Sequence, residues 1–389
     1  LNSNFKLAIA AGLLYLLGVW LHFPFGGGHF YSDITTIFQL RIVDENFGIP
    51  YLEVFYEYPV IVGTFTYIMG TLASFFPGPL IYNYYFLTVS VLAIPTGLLV
   101  LEVSKIARMK GMEHKRLFLY LVVTPSFVVM LLLNWYVIGV FFMVYGLRKF
   151  LEGDRWMSGT LLGLSAASNF VTAVPAFGMI LTAGDVKRVV TFVGFAVVAY
   201  VSVNAPFFLS NPSMWWSSWN YIYNFPAEGS WMLAFFPNVS PVRHILPPVI
   251  FGAISAIIVF KALLKGEKDT IRLSWLFTFA YLFSTYIFTP QMNIILLPFL
   301  TLAPIVRRYW EFLIFDFVNS FVIFGFSYAS TLFFLMFGIN YNFVLWGLSS
   351  PVQWAAIIRS AWVGKMTIIN GLVRRPESLQ KLPVRNSSL

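Results

Sequence analysis

The sequence predicts an all-α polytopic membrane protein, one bundle of about eleven to thirteen transmembrane helices. Hydrophobic residues make up 59% of the 389 and charged residues only 11%, with a mean hydropathy of +0.77. Soluble domains carry about 25% charged residues. Apolar runs long enough to cross a hydrocarbon core of roughly 30 Å recur along the whole chain. The bases fall mainly in short polar stretches between those runs, the bias that cytoplasmic loops carry. That bias accounts for the net charge of +9 without nucleic acid as a partner. No cysteine is present, which excludes disulfides and thiolate chemistry.

The elements follow in chain order. Residues 5–23 read as a retained first span, because the apolar run is too long for a signal peptide and has no small-residue cleavage site. Residues 24–58 then form a large first outer loop with short helices. Its core, GGGHFYSDITTIFQLRIVDENFGIPYLEVFYEYP (26–59), holds Asp33, Asp44, Glu45, Glu53 and Glu57, an unusual share of only 16 acidic residues. Residues 60–76 and 80–104 form a hairpin about Pro77-Gly78-Pro79. Simple alternation would leave the basic stretch 105–116 on the outer side, so either one arm is re-entrant or the charge bias fails there. The run 117–147 would be about 46 Å long as one helix, more than a span needs. It is interrupted at Thr124-Pro125-Ser126 and at Asn134-Trp135, and the run 161–183 at Ser168-Asn169 and Pro175. Such breaks are tolerated in a bilayer only where they line a cavity or pack in protein.

An aromatic outer segment, 206–246, precedes spans at 247–260, 273–288, 292–306, 312–337 and 344–363. The basic loop 261–272 is internal, with outer turns at 289–291 and 338–342. Residues 1–365 make a single transmembrane domain, and 366–389 a basic cytoplasmic tail with Arg374, Arg375, Lys381 and Arg385. Three polar or aromatic segments, 26–59, 206–246 and 289–291, therefore meet on one extracytoplasmic face.

That face holds the candidate chemistry. Asp33, just beyond the first span, suits a general base toward a hydroxyl if desolvation raises its pKa from near 3.9; a solvated loop aspartate or a helix N-cap is the plainer explanation. Glu53-Val54-Phe55-Tyr56-Glu57-Tyr58 alternates acids with aromatics, as a sugar-binding wall would, although interfacial tyrosines also form membrane belts. Pro59 marks a helix start. Arg243-His244 is a basic pair against the positive-inside trend, fit to hold a lipid phosphate or merely to anchor in headgroups. Arg41 is a second such candidate, or a partner of Asp44 or Glu45. Gln291 can bond a substrate or cap the next helix. The four histidines, His22, His29, His114 and His244, have no metal-ligand spacing. No Walker or dinucleotide glycine motif occurs, and no internal repeat is evident.

In order, four places resemble the GT-C superfamily of membrane glycosyltransferases. They are Tyr31-Ser32-Asp33-Ile34 after the first span, Tyr56-Glu57-Tyr58-Pro59-Val60, Asn134-Trp135-Tyr136, and Phe288-Thr289-Pro290-Gln291 with Leu296-Leu297-Pro298 behind it. The likeness covers about residues 5–310 and is nearest the branch that uses polyprenyl-phosphate sugars, such as bacterial mannosyltransferases and the catalytic subunit of GPI mannosyltransferase I. It departs at Tyr136, where the family often has aspartate, at Asn169, where it often has lysine, and at Val60, where a second proline is usual. The resemblance implies Asp33 as the base that deprotonates the acceptor. It implies a leaving lipid phosphate met by basic side chains, with Arg243, His244 and Arg41 as candidates. It further implies sugar or acceptor contacts from Glu53, Glu57, Tyr58, Asn134, Trp135 and Gln291, and transfer without a metal or other cofactor. The expected partners are a polyprenyl-phosphate sugar, a lipid or glycan acceptor and membrane lipids, and the protein itself is a monomer or part of a small complex. A transporter of lipid-linked sugar and an inactive subunit of the same fold are the alternatives.

Overall fold

A computed structural model describes residues 3–24, 30–303, 305–306, 308–324 and 351–373. The sequence expectations for 25–29 (including His29), 325–350 and the tail from 374 lie outside the described residues. Those described are predominantly helical and contain no strand beyond isolated bridges. Among the described residues, three helices are long and apolar enough to cross a membrane: Leu80–Met109, Val186–Ser210 and Val242–Lys265.

Helix α1 (Ser3–Leu21) leads to the short α2 (Asp33–Phe38), which continues as a π-helical turn, Gln39–Val43. Next come α3 (Val60–Ala73) and α4 (Leu80–Met109). The Tyr15 hydroxyl bonds the Val89 carbonyl, and that of Tyr85 bonds the Val19 carbonyl at 2.7 Å, so α1 and α4 are antiparallel. Helix α4 therefore starts at the end that holds Asp33. The 14 residues of α3 span about 21 Å. Gly63 lies against the Tyr51 ring and Gly70 against Phe38, so α3 stays with the residue 30–59 segment from start to finish. Of the two alternatives for the basic stretch 105–116, this geometry agrees with the one in which an arm of the hairpin does not cross from end to end. Those bases lie at the far end.

Next along the chain are α5 (His114–Leu117) with a π turn, α6 (Pro125–Val129), α7 (Tyr136–Leu151), α8 (Arg155–Ser168) and α9 (Ala176–Leu181). All four expected interruptions occur, two in each run. Thr124 accepts from Phe127 N to cap α6, and Asn169 accepts from Val171 N to start a 3-10 turn, Phe170–Ala173. Each polar side chain satisfies a backbone amide that the broken ladder leaves free. Helix α10 (Val186–Ser210) packs closely on α8, where a Cβ on Gly159 or Gly163 would collide with the backbone at Phe192 or Ala196. Small residues four apart let two backbones approach.

The chain closes with α11 (Pro212–Asn224), α12 (Val242–Lys265), α13 (Thr270–Ser284), α14 (Asn293–Leu302), α15 (Tyr309–Phe324) and α16 (Pro351–Lys365). The aromatic segment expected at 206–246 thus begins inside α10 and ends inside α12. At the far end, Arg116 donates to the carbonyls of Leu300, Thr301 and Ala303, and Arg272 to Glu267 and the Gly371 carbonyl. Glu102 pairs with Arg148 and Lys105, and Lys110 with Asp269. Basic groups converge there, and most of the acidic loop stands at the opposite end.

Candidate functional site

Asp33 is positioned by backbone before its side chain does anything. Ser32 caps α2 by accepting from Ile34 N, and its own hydroxyl donates to the Leu132 carbonyl at 2.8 Å. Asp33 N donates to the Leu133 carbonyl, also at 2.8 Å. The loop start is thus pinned to Leu132 and Leu133, between the two helix breaks. The His22 ring, set between the Val129 and Tyr31 carbonyls, braces the same junction.

Asp33 opens onto a cavity of about 1030 Å³. The cavity draws walls from all three segments expected to meet: Asp33, Glu57 and Tyr58 from the first, Trp216, Trp219 and Tyr221 among others from the second, and Thr289, Pro290 and Gln291 from the third. It takes a further wall from Tyr136 and Asn169 at the two broken helices and from Gln353 on α16. Volumes of this size hold whole ligands, and a mostly apolar wall with a few polar groups is what such sites share.

Burial pushes the Asp33 carboxyl up to about 6. Hydrogen bonds from Tyr58 (2.5 Å) and Tyr31 oppose that rise, and the Glu57 charge adds to it. The Asn134 amide nitrogen, which has no partner of its own, stands near enough to help steady the anion. Tyr58 is held well above its ordinary value by burial and by the charge of Asp33. The result is a carboxyl that changes state close to neutrality, beside a phenol that stays protonated.

The other expected residues divide. Glu57 and Gln291 line the cavity with Tyr58. Glu57 also takes a 2.9 Å hydrogen bond from Arg41 Nε, and the Arg41 guanidinium sits 4.9 Å over the Phe55 ring. Arg41 is therefore a prop for Glu57 and does not form cavity wall. Trp135 is fully buried behind Tyr58, edge-on at 5.1 Å, and Asn134 is likewise buried behind the wall, so neither is a lining contact. Glu53 is exposed and accepts from Ile49 N at 2.8 Å, closing its own turn. Arg243 donates to the Val239 and Ser240 carbonyls one turn back, and His244 stacks on Tyr223 at 4.1 Å. This basic pair forms the first turn of α12, outside the lining. Among the described residues no lysine, arginine or histidine lines the cavity.

Two residues escaped the sequence reading. Glu228 lines the cavity, and burial, the nearby Asp33 charge and an opposing Arg359 charge leave its carboxyl at about 7. Arg359 on α16 is fully buried. It donates to the Phe288 carbonyl, to the Gly229 carbonyl at 3.3 Å and to Asn319 Oδ1 at 2.7 Å. Glu228 was a lone acid in an aromatic segment, but an arginine inside an apolar run is a signal in its own right. Neither protein-family models nor curated protein sequences give a match to this chain.

Proposed function

We propose that the chain is a multi-pass membrane glycosyltransferase of the GT-C kind, transferring a hexose, with mannose favoured, from a polyprenyl-phosphate sugar to a lipid- or glycan-linked hydroxyl. The observation that carries the reading is Asp33. It is a buried carboxyl of raised pKa, hydrogen-bonded by Tyr58, opening on a large cavity walled by aromatic rings and carboxylates. Aromatic faces and carboxylates suit the faces and hydroxyls of a sugar. In this reading the end-to-end helix passes are membrane spans, α3 is re-entrant, and the far basic end is cytoplasmic by the positive-inside rule. The cavity then faces the extracytoplasmic side.

The reaction follows. Asp33 accepts the proton of the acceptor hydroxyl as its oxygen bonds to the anomeric carbon. The bond from that carbon to the phosphate oxygen breaks, and its electron pair leaves with the lipid phosphate. Attack opposite the leaving group inverts the anomeric centre. Arg243, His244 and Arg41 do not line the cavity, so charge on the phosphate is met by neutral donors such as Tyr58, Tyr136, Asn169 and Gln291. Arg359, one peptide layer behind Gly229 and Phe288, adds its positive field. The same resemblance expects activity to survive chelators.

Buried acids also fit a transporter, but Glu102 is paired with Arg148 and Lys105, and Asp316 is held by hydrogen bonds from Ser126 and Asn293. The purified protein, given radiolabelled polyprenyl-phosphomannose and a lipid acceptor, is expected to move label to the acceptor. Vesicle-dependent movement of intact donor with no transfer would point to the transporter instead.

A further inference from the structure

Glu228 is a charged group of the cavity to which the mechanism assigns no part, and its backbone is firmly held. Its backbone N–H donates to the Tyr286 carbonyl at 2.9 Å, and its carbonyl accepts from Phe288 N at 2.7 Å. The preceding Ala227 N is held by the Asn238 carbonyl at 2.7 Å. The next residue, Gly229, has φ +64, and a Cβ there would collide with the Phe288 carbonyl oxygen. Only glycine meets both demands. Behind this wall Arg359 donates to the Gly229 and Phe288 carbonyls together, locking the two strands of chain in register.

The carboxyl that this frame carries has no hydrogen bond or ion pair among the described residues. Glu228 is half-buried, and its oxygens face the open cavity with no donor from the wall among the described residues, so they are free to accept from a ligand. The group is not half of a salt bridge across the cavity, because no basic side chain lines it among the described residues. Tyr223 and Tyr286 line the same cavity. Two acceptor oxygens in a cavity with aromatic walls suit the adjacent hydroxyls and the ring face of a hexose.

We infer that Glu228 is a substrate-binding residue whose carboxyl group holds hydroxyls of the transferred sugar, while Asp33 serves the acceptor. The inference rests on the glycosyltransferase reading and assigns the sugar subsite within it. Arg359 acts through the Gly229 and Phe288 carbonyls and is a positioning residue.

The test is transfer kinetics of the full-length protein as Glu228→Gln and Glu228→Ala. Alongside it, binding of sugar-free polyprenyl phosphate is read from the fluorescence of the cavity tryptophans. Glu228→Ala is expected to raise KM for the phosphohexose about tenfold while kcat changes far less, as loss of uniform binding requires. Glu228→Gln, which still accepts a hydrogen bond, should show a smaller rise. Binding of the sugar-free lipid should be unchanged in both, which also reports an intact fold. An unchanged KM in a wild type that turns over and in Glu228→Ala overturns this inference alone. Equal weakening of sugar-free and sugar-bearing lipids also overturns it. A wild type that neither binds the donor nor transfers sugar overturns the glycosyltransferase reading and this inference with it.

Discussion

Asp33 and Asp316 are both buried aspartates in the same half of the molecule, and their surroundings have little else in common. Asp316, on α15, is fully buried and accepts from Ser126 N at 2.9 Å, from the Ser126 hydroxyl and from Asn293 Nδ2 at 2.8 Å. Asn319 extends that set to the Pro290 carbonyl and to Arg359. The network ties the break at Thr124-Pro125-Ser126 to the 290–293 turn and to α15 and α16. The Asp316 carboxylate is thus fully engaged by protein donors. Asp33 keeps a face on open volume large enough for a ligand. Burial alone does not make a working acid; an adjoining space does.

The sharpest way to break this contrast is Asp33→Asn. Removing a general base should lower sugar transfer about a thousandfold, with thermal unfolding of the purified protein unchanged. Retained turnover would place Asp33 with Asp316 as a structural group. Asp316→Ala should do the reverse. It orphans the Ser126 and Asn293 donors at about 1–3 kcal/mol each, so the unfolding midpoint should fall while activity per folded molecule persists. Loss of activity in a fully folded Asp316 variant would collapse the distinction.

The pH profile sharpens it further. The base must be ionised, and its pKa is raised to about 6. Transfer, followed as kcat/KM, should therefore be flat above that value and fall as pH drops through it, approaching tenfold per unit. A profile flat down to pH 5 would be incompatible with Asp33 as the base. Tyr58→Phe removes a hydrogen bond that favours the anion. It should move the acid limb to higher pH with a modest loss of rate above the limb; an unmoved limb would disconnect Tyr58 from Asp33. Least affected should be Glu53→Gln, since Glu53 closes a local turn outside the cavity. Its kinetic constants are expected within about twofold of wild type, and a large loss would mean the cavity extends to that turn.

Much of this was legible because it is local. The breaks at Thr124-Pro125-Ser126 and Ser168-Asn169 follow from proline and from side chains that cap freed amides, and both occur where expected. The convergence of 26–59, 206–246 and 289–291 followed from charge and alternation, and those segments do line one cavity. The basic pair Arg243-His244 misled because composition locates a residue along the chain but says nothing of its rotation about a helix axis. As the first turn of α12, it points its bonds back to residues 239 and 240. Glu53 and Glu57 were inseparable in sequence, four residues apart, yet one turns to its own loop and the other to the cavity.

Hydropathy, proline, glycine and capping residues are properties of short stretches, so the chain's helical class, its interruptions and the acid-rich loop could be read from letters alone. The path of α3, the choice of Asp33 over its neighbours and the emergence of Glu228 and Arg359 could not. Each depends on contacts between residues far apart in sequence. Phe38 against Gly70, Asp33 N on the Leu133 carbonyl, and Arg359 on the Gly229 carbonyl are such contacts. Which carboxylate is desolvated, and which still faces open space, is set by that packing.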